Sequence, residues 1–183
     1  PKSVPRVQER IDALGHQIAS GIKEHVSQTL EQWIETLPFP LASILRAWQA
    51  TVSQDYKTKY EHLLHFFEGA AEFVSVILLS AFSSNDAVFA PHRQKLIEVM
   101  QKQSLSFDRA TFGTWKLVVE YLGKQTRELL NEEGKKPEDA KNDRALCEDM
   151  FADPSRALPD ALSRKELAAI FCSTNKMRND WSG

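Results

Sequence analysis

Glycine is scarce, with seven in 183 residues, and strict alternation of apolar and polar residues is hard to find. Hairpins and half-buried strands therefore have little sequence to be made from. The longest apolar run, Phe73–Phe82, is too short to cross a bilayer and reads as a buried helical turn or two. Only two cysteines occur, Cys147 and Cys172, without metal-ligand spacing. They read as reduced, partly buried thiols of a cytosolic protein, with a disulfide between them as the alternative. Neither charge sign is in excess: 23 Lys and Arg face 25 Asp and Glu, a formal net charge of −2. Such a balance leaves no footprint for bulk attraction to nucleic acid or to a membrane surface. A P-loop, a dinucleotide fingerprint, a nucleophile elbow and zinc spacing are all missing, and no cofactor is expected. There is no signal-peptide pattern, and the chain opens on Pro1 rather than methionine. A removed methionine or a piece of a longer protein would each explain that start.

What is present is helical periodicity. Val7, Ile11, Leu14, Ile18, Ile22, Val26, Leu30, Trp33 and Leu37 recur every three or four residues. They predict one long amphipathic helix over roughly 5–36, ended by Leu37-Pro38-Phe39-Pro40. A short helix is expected over about 41–52. A third should run from Ser53 or Asp55 to about Phe82, its second half apolar nearly all round and therefore central. Ser83–Asp86 reads as a loop, and Pro91 is placed at the start of a fourth helix. Ser106 and Asp108 are candidate caps for a fifth, with Phe112, Trp115, Val119 and Leu122 inward. Residues 131–142 are polar, broken by Gly134 and Pro137, and read as an exposed loop. Leu146, Met150 and Phe151 suggest a small helix, and Pro154 and Pro159 a turn. Ser163 and Glu166 form a capping box for the last helix, with Leu162 and Leu167 as its staple. The expectation is one all-α domain over 1–183, an antiparallel helical bundle of about five to seven helices with a long N-terminal helix.

The last helix has an unusual member. At 100° per residue Leu167, Ile170, Phe171, Thr174, Met177 and Trp181 share a face, and Arg178 falls between Leu167 and Phe171. An inward arginine needs an anionic partner. Either it pairs with a carboxylate of the bundle, or it serves an anion site in which its planar fork fits phosphate and Asn179 fixes orientation. Glu61, His65, Glu68 and Glu72 lie within about 60° on the third helix. They form a solvated face, or supply Glu68 or Glu72 as the partner of Arg178, or bind metal. A di-iron site would want Glu-x-x-His on two helices, which the sequence lacks, and no metal is expected. His16, His25, His62 and His92 read as surface residues, and Trp33, Trp48 and Trp115 as packing anchors.

Leu167–Gly183, and above all Lys176-Met-Arg178-Asn179-Asp-Trp-Ser-Gly183, resembles the final helix of the HEPN superfamily. Those all-helical domains carry Arg, often followed by Asn, and then His four to six residues on. The matching positions are Arg178 and Asn179; a histidine would have to lie just past Gly183. Active members pair two protomers and cleave RNA without metal, with histidine handling protons and arginine stabilising charge on phosphorus. The resemblance implies Arg178 as the anion stabiliser and Asn179 as a positioning residue, the catalytic candidates. Glu68, Glu72 and Trp181 are the candidate binding positions, read from the residues themselves. It implies RNA as a partner, and a homodimer or other domains of a larger bacterial nucleic-acid-processing or phage-defence protein. The cysteines, charge balance and short apolar run add the expectation of a cytoplasmic setting and no membrane. Endoribonuclease activity would require the missing histidine. The rival expectation is a non-catalytic helical protein–protein interaction domain.

Overall fold

The computed structural model describes residues 29–182. Among the described residues there is no strand. A helical stretch over 29–36 (α1) precedes seven helices: α2 (Phe39–Ala50), α3 (Tyr56–Ser83), α4 (Asp86–Lys102), α5 (Phe112–Leu130), α6 (Pro137–Phe151), α7 (Ala157–Ser163) and α8 (Lys165–Ser182). The all-α expectation holds. Most of the expected long N-terminal helix lies outside the described residues, as do His16 and His25. Its expected end is met: helix stops at Thr36 and Pro38 stands just ahead of α2. The described residues fall into two compact units, divided between Lys59 and Tyr60.

In the first unit, Leu41, Ala42 and Leu45 are the buried face of α2. Lys59 Nζ sits 5.0 Å from the Trp48 ring centroid, a cation–π contact. Trp33 is exposed, not a packing anchor. Asp55 caps α3, its carboxylate accepting the Thr58 N–H at 3.0 Å.

The second unit is organised around α5, which touches α4, α6, α7 and α8. Phe112, Leu117, Val118, Val119 and Leu122 are buried there, joined by Ala71, Leu78 and Phe82 of α3, Leu96 and Met100 of α4, Cys147 and Met150 of α6, and Phe171 of α8. The central place expected for α3 therefore belongs to α5. Phe73 and Val76 of α3 face outward, so its apolar second half is covered on one side only. By length and composition alone α3 is apolar enough to cross a membrane; its Ala71, Leu78 and Phe82 are nevertheless fully packed into protein. The buried Ser75 hydroxyl donates to the Trp115 carbonyl at 3.0 Å, tying α3 to α5.

Several element boundaries differ from expectation. Helix α4 begins at Asp86, with Asn85 accepting the Val88 N–H at 3.2 Å, so Pro91 lies inside the helix instead of opening it. Thr111, not Ser106 or Asp108, caps α5. Its N–H donates to Thr114 Oγ1 at 3.2 Å, half of a capping box. The loop expected over 131–142 closes at Lys136. Pro137 takes a first-turn position and Glu138 and Asp139 follow, the combination that favours a helix start. Gly134, at φ 76°, makes the left-handed bend of the shortened loop. Lys135 Nζ reaches Asp143 at 2.6 Å and the Glu132 carboxylate meets Arg144, fastening loop to α6. The turn expected between Pro154 and Pro159 lies at 154–155, and Pro159 itself falls within α7. Ser163 ends α7 and donates to the Asp160 carbonyl at 3.3 Å, so it does not cap α8.

A cleft between helices five and eight

Helices α5 and α8 run antiparallel. Arg127 near the end of α5 donates to the Ser163 carbonyl ahead of α8. Halfway along, the Cys172 thiol donates to Glu120 Oε1 at 2.5 Å. At the far end the start of α5 lies beside the last turns of α8. Packing fixes the azimuth of α8: Phe171 and Thr174 are buried and Leu167 is half-buried. Arg178 stands two turns beyond Phe171 and shares that inward face. Ile170, Met177 and Trp181, expected on the same stripe, form its exposed edge.

The Arg178 side chain is 35% exposed, and its Nη1 lies 3.5 Å from Glu68 Oε1 on α3, whose side chain is 24% exposed. Glu68 therefore meets Arg178, one of the alternatives open in the sequence. Glu72, one turn further along α3, is exposed. Trp181 packs on Tyr60 with ring centroids 4.6 Å apart, and the Tyr60 hydroxyl donates to the Met177 carbonyl at 3.4 Å. Asn179 is exposed and lines a cleft of about 330 Å³ with Arg178. Its other walls are Gln103, Leu105, Thr111, Gly113, Lys116 and Asn175.

That cleft holds two cations, three side-chain amides and the first turn of α5. The N–H groups of a first helical turn have no partners within their own helix, and their dipoles favour an anion. Lys116 was not singled out from sequence. It sits one turn inside α5, and only the antiparallel crossing brings it to Arg178. Lys116 is itself 3.3 Å from Glu120. Each cleft cation thus has a carboxylate beside it. Among the described residues no three His, Cys, Asp or Glu side chains gather as metal ligands.

Elsewhere, His92 is half-buried, not a surface residue. Its Nδ1 shares a 3.2 Å hydrogen bond with the Tyr121 hydroxyl, and its ring meets Phe82 edge-on. Burial, and secondarily Lys95, lowers the His92 pKa, while burial and then Glu128 and Glu98 raise that of Tyr121. Cys147 and Cys172 are both free thiols. Burial pushes Cys147 up to about 11. Burial, followed by the hydrogen bond to Glu120, raises Cys172. A larger open cleft of about 620 Å³ lies at the other end of the α5–α8 pair, lined by Lys124, Arg127, Glu128, Asp160 and Lys165 among others. Arg127 is committed there to the Ser163 carbonyl, and Lys124 lies 3.7 Å from Glu128.

Compared with models of protein families, with curated proteins and with solved structures, the chain matches none of them.

Proposed function

We propose that this chain is a HEPN-like helical module of a larger bacterial nucleic-acid-processing or defence protein, and that its α5–α8 cleft binds a phosphate of RNA. The supporting observation is the convergence of Arg178 and Lys116, with Asn175, Asn179 and Gln103, on one cleft at the start of α5. Arg178 offers a planar fork matched to two phosphate oxygens, Lys116 a point charge, and the amides neutral donors that set orientation. In the cleavage chemistry that HEPN resemblance implies, this arrangement would stabilise charge on phosphorus. The proton-transferring histidine of that pattern is not among residues 180–183. The activity proposed for these residues is phosphate binding, with association of two copies through α8; RNA cleavage would need a histidine supplied beyond them.

The second reading is a protein–protein interaction domain without RNA. It is favoured by the exposed edge of α8, where Ile170 is 45%, Met177 51% and Trp181 54% exposed. Fluorescence anisotropy of a labelled single-stranded RNA in EDTA separates the two, with light scattering giving the particle mass. Saturable binding, weakened about tenfold or more by Arg178→Ala, supports the RNA reading, since hydrogen bonds to charged groups contribute on that scale. A dimer that binds no RNA leaves the interaction domain standing.

A further inference from the structure

Resting on that reading, we propose that Glu68 is the resident counter-anion of Arg178 and that an RNA phosphodiester enters the cleft by displacing it. Both cleft cations face carboxylates, but the two pairs are built differently. Glu120 is fixed from two sides, by Lys116 at 3.3 Å and by the Cys172 thiol at 2.5 Å. The Glu68–Arg178 contact is long, at 3.5 Å, where a good charge-assisted N–H···O bond is about 2.7–2.9 Å. Both of its side chains reach solvent. An ion pair of that kind is loosely held and contributes little on its own.

Arg178 both lines the cleft and contacts Glu68, so a ligand in the cleft competes with Glu68 for its guanidinium. A phosphodiester offers two free oxygens to the fork and meets Lys116 and the cleft amides as well. A carboxylate entering from solvent would only replace a carboxylate already in place. Glu68 therefore acts as a threshold: it keeps Arg178 inward and compensated when the cleft is empty, and it selects for phosphate over simple carboxylate anions. Net charge around the cleft is balanced by Glu68 and Glu120 in the free protein, in keeping with a chain that has no general basic surface.

The test measures binding of a labelled single-stranded RNA oligonucleotide, with inorganic phosphate and acetate as competitors, to the wild-type chain, E68Q and R178Q. Glu98→Gln, on α4, controls for a general change in net charge. Circular dichroism establishes that each variant is folded. E68Q is expected to bind RNA up to about fivefold tighter, the scale of a partly exposed ion pair, and to be displaced by acetate more readily than the wild type. E98Q should shift affinity less, and R178Q should lose binding. If E68Q unfolds, E68D, which withdraws the charge by one methylene, is expected to fall between the two. Equal or weaker binding by E68Q, with loss in R178Q, overturns the displacement and leaves the phosphate site intact. No binding by either wild type or E68Q overturns the RNA reading and this inference together.

Discussion

Phe112 at the start of α5 and Phe171 in the middle of α8 meet edge to face, their ring centroids 6.3 Å apart and their planes at 76°. Both are fully buried. This pair sets the rotation of α8, and Arg178 follows two turns later on the same face. Replacing Phe171 by alanine should destabilise the fold by about 3–5 kcal/mol, the usual cost of removing a buried ring. Urea unfolding measures it. A loss below about 1 kcal/mol would mean the ring is not a packing anchor.

Arg178→Ala should leave stability almost untouched while removing RNA affinity. The Glu68 pair is partly exposed and worth at most about 1 kcal/mol. Thermal melting beside RNA titration distinguishes these effects. A variant that melts far below the wild type would assign Arg178 to the scaffold.

The buried bond from Ser75 to the Trp115 carbonyl joins α3 to α5. Ser75→Ala should cost about 0.5–1.5 kcal/mol, because one buried hydrogen bond is lost while the Trp115 carbonyl keeps its partner within α5. Ser80→Ala, exposed on the same helix, should be near neutral.

Folding should weaken in mild acid through His92. Its folded-state pKa lies below the ordinary value of 6.5, so the unfolded chain takes up the proton first. The contribution of neutral His92 is fully present above 6.5 and is lost as pH falls through that value toward the lowered one. Urea midpoints between pH 7.5 and 5 record the loss, and His92→Phe should flatten that part of the profile. An identical slope in the variant would assign the pH dependence to other groups.

Neither thiol should react quickly in the folded protein. Cys147 is fully buried, with its pKa pushed up to about 11, and Cys172 is half-buried, raised, and bonded to Glu120. At pH 8 a disulfide reagent should modify Cys172 slowly and Cys147 only as the chain opens, with both reacting at once in denaturant. Rapid native labelling of Cys147 would contradict its burial.

Local signals in the sequence account for much of the architecture. Spacing of three and four, few glycines and the Pro38–Pro40 break required helices and placed the first boundary, because those effects act within a turn of chain. The start of α6 was legible too, in Pro137-Glu138-Asp139, but charge and the nearby glycine made the stretch look like loop. The capping threonine of α5 competed with two equally good neighbours, Ser106 and Asp108. Choosing among them depended on where Phe112 had to sit in the core.

That Arg178 lay on the packing side of its helix was determined by sequence, since angular position along a helix is fixed by residue number. Which carboxylate it meets was not: Glu68 and Glu72 are one turn apart, and only the crossing of α3 with α8 separates the contacting one from the exposed one. Nor did sequence name Lys116 or the cleft, which exist because α5 and α8 pack antiparallel. Helical repeat and end signals are properties of neighbouring residues. Sites shared between helices come from packing, in which the central place went to α5, whose buried stripe meets four other helices.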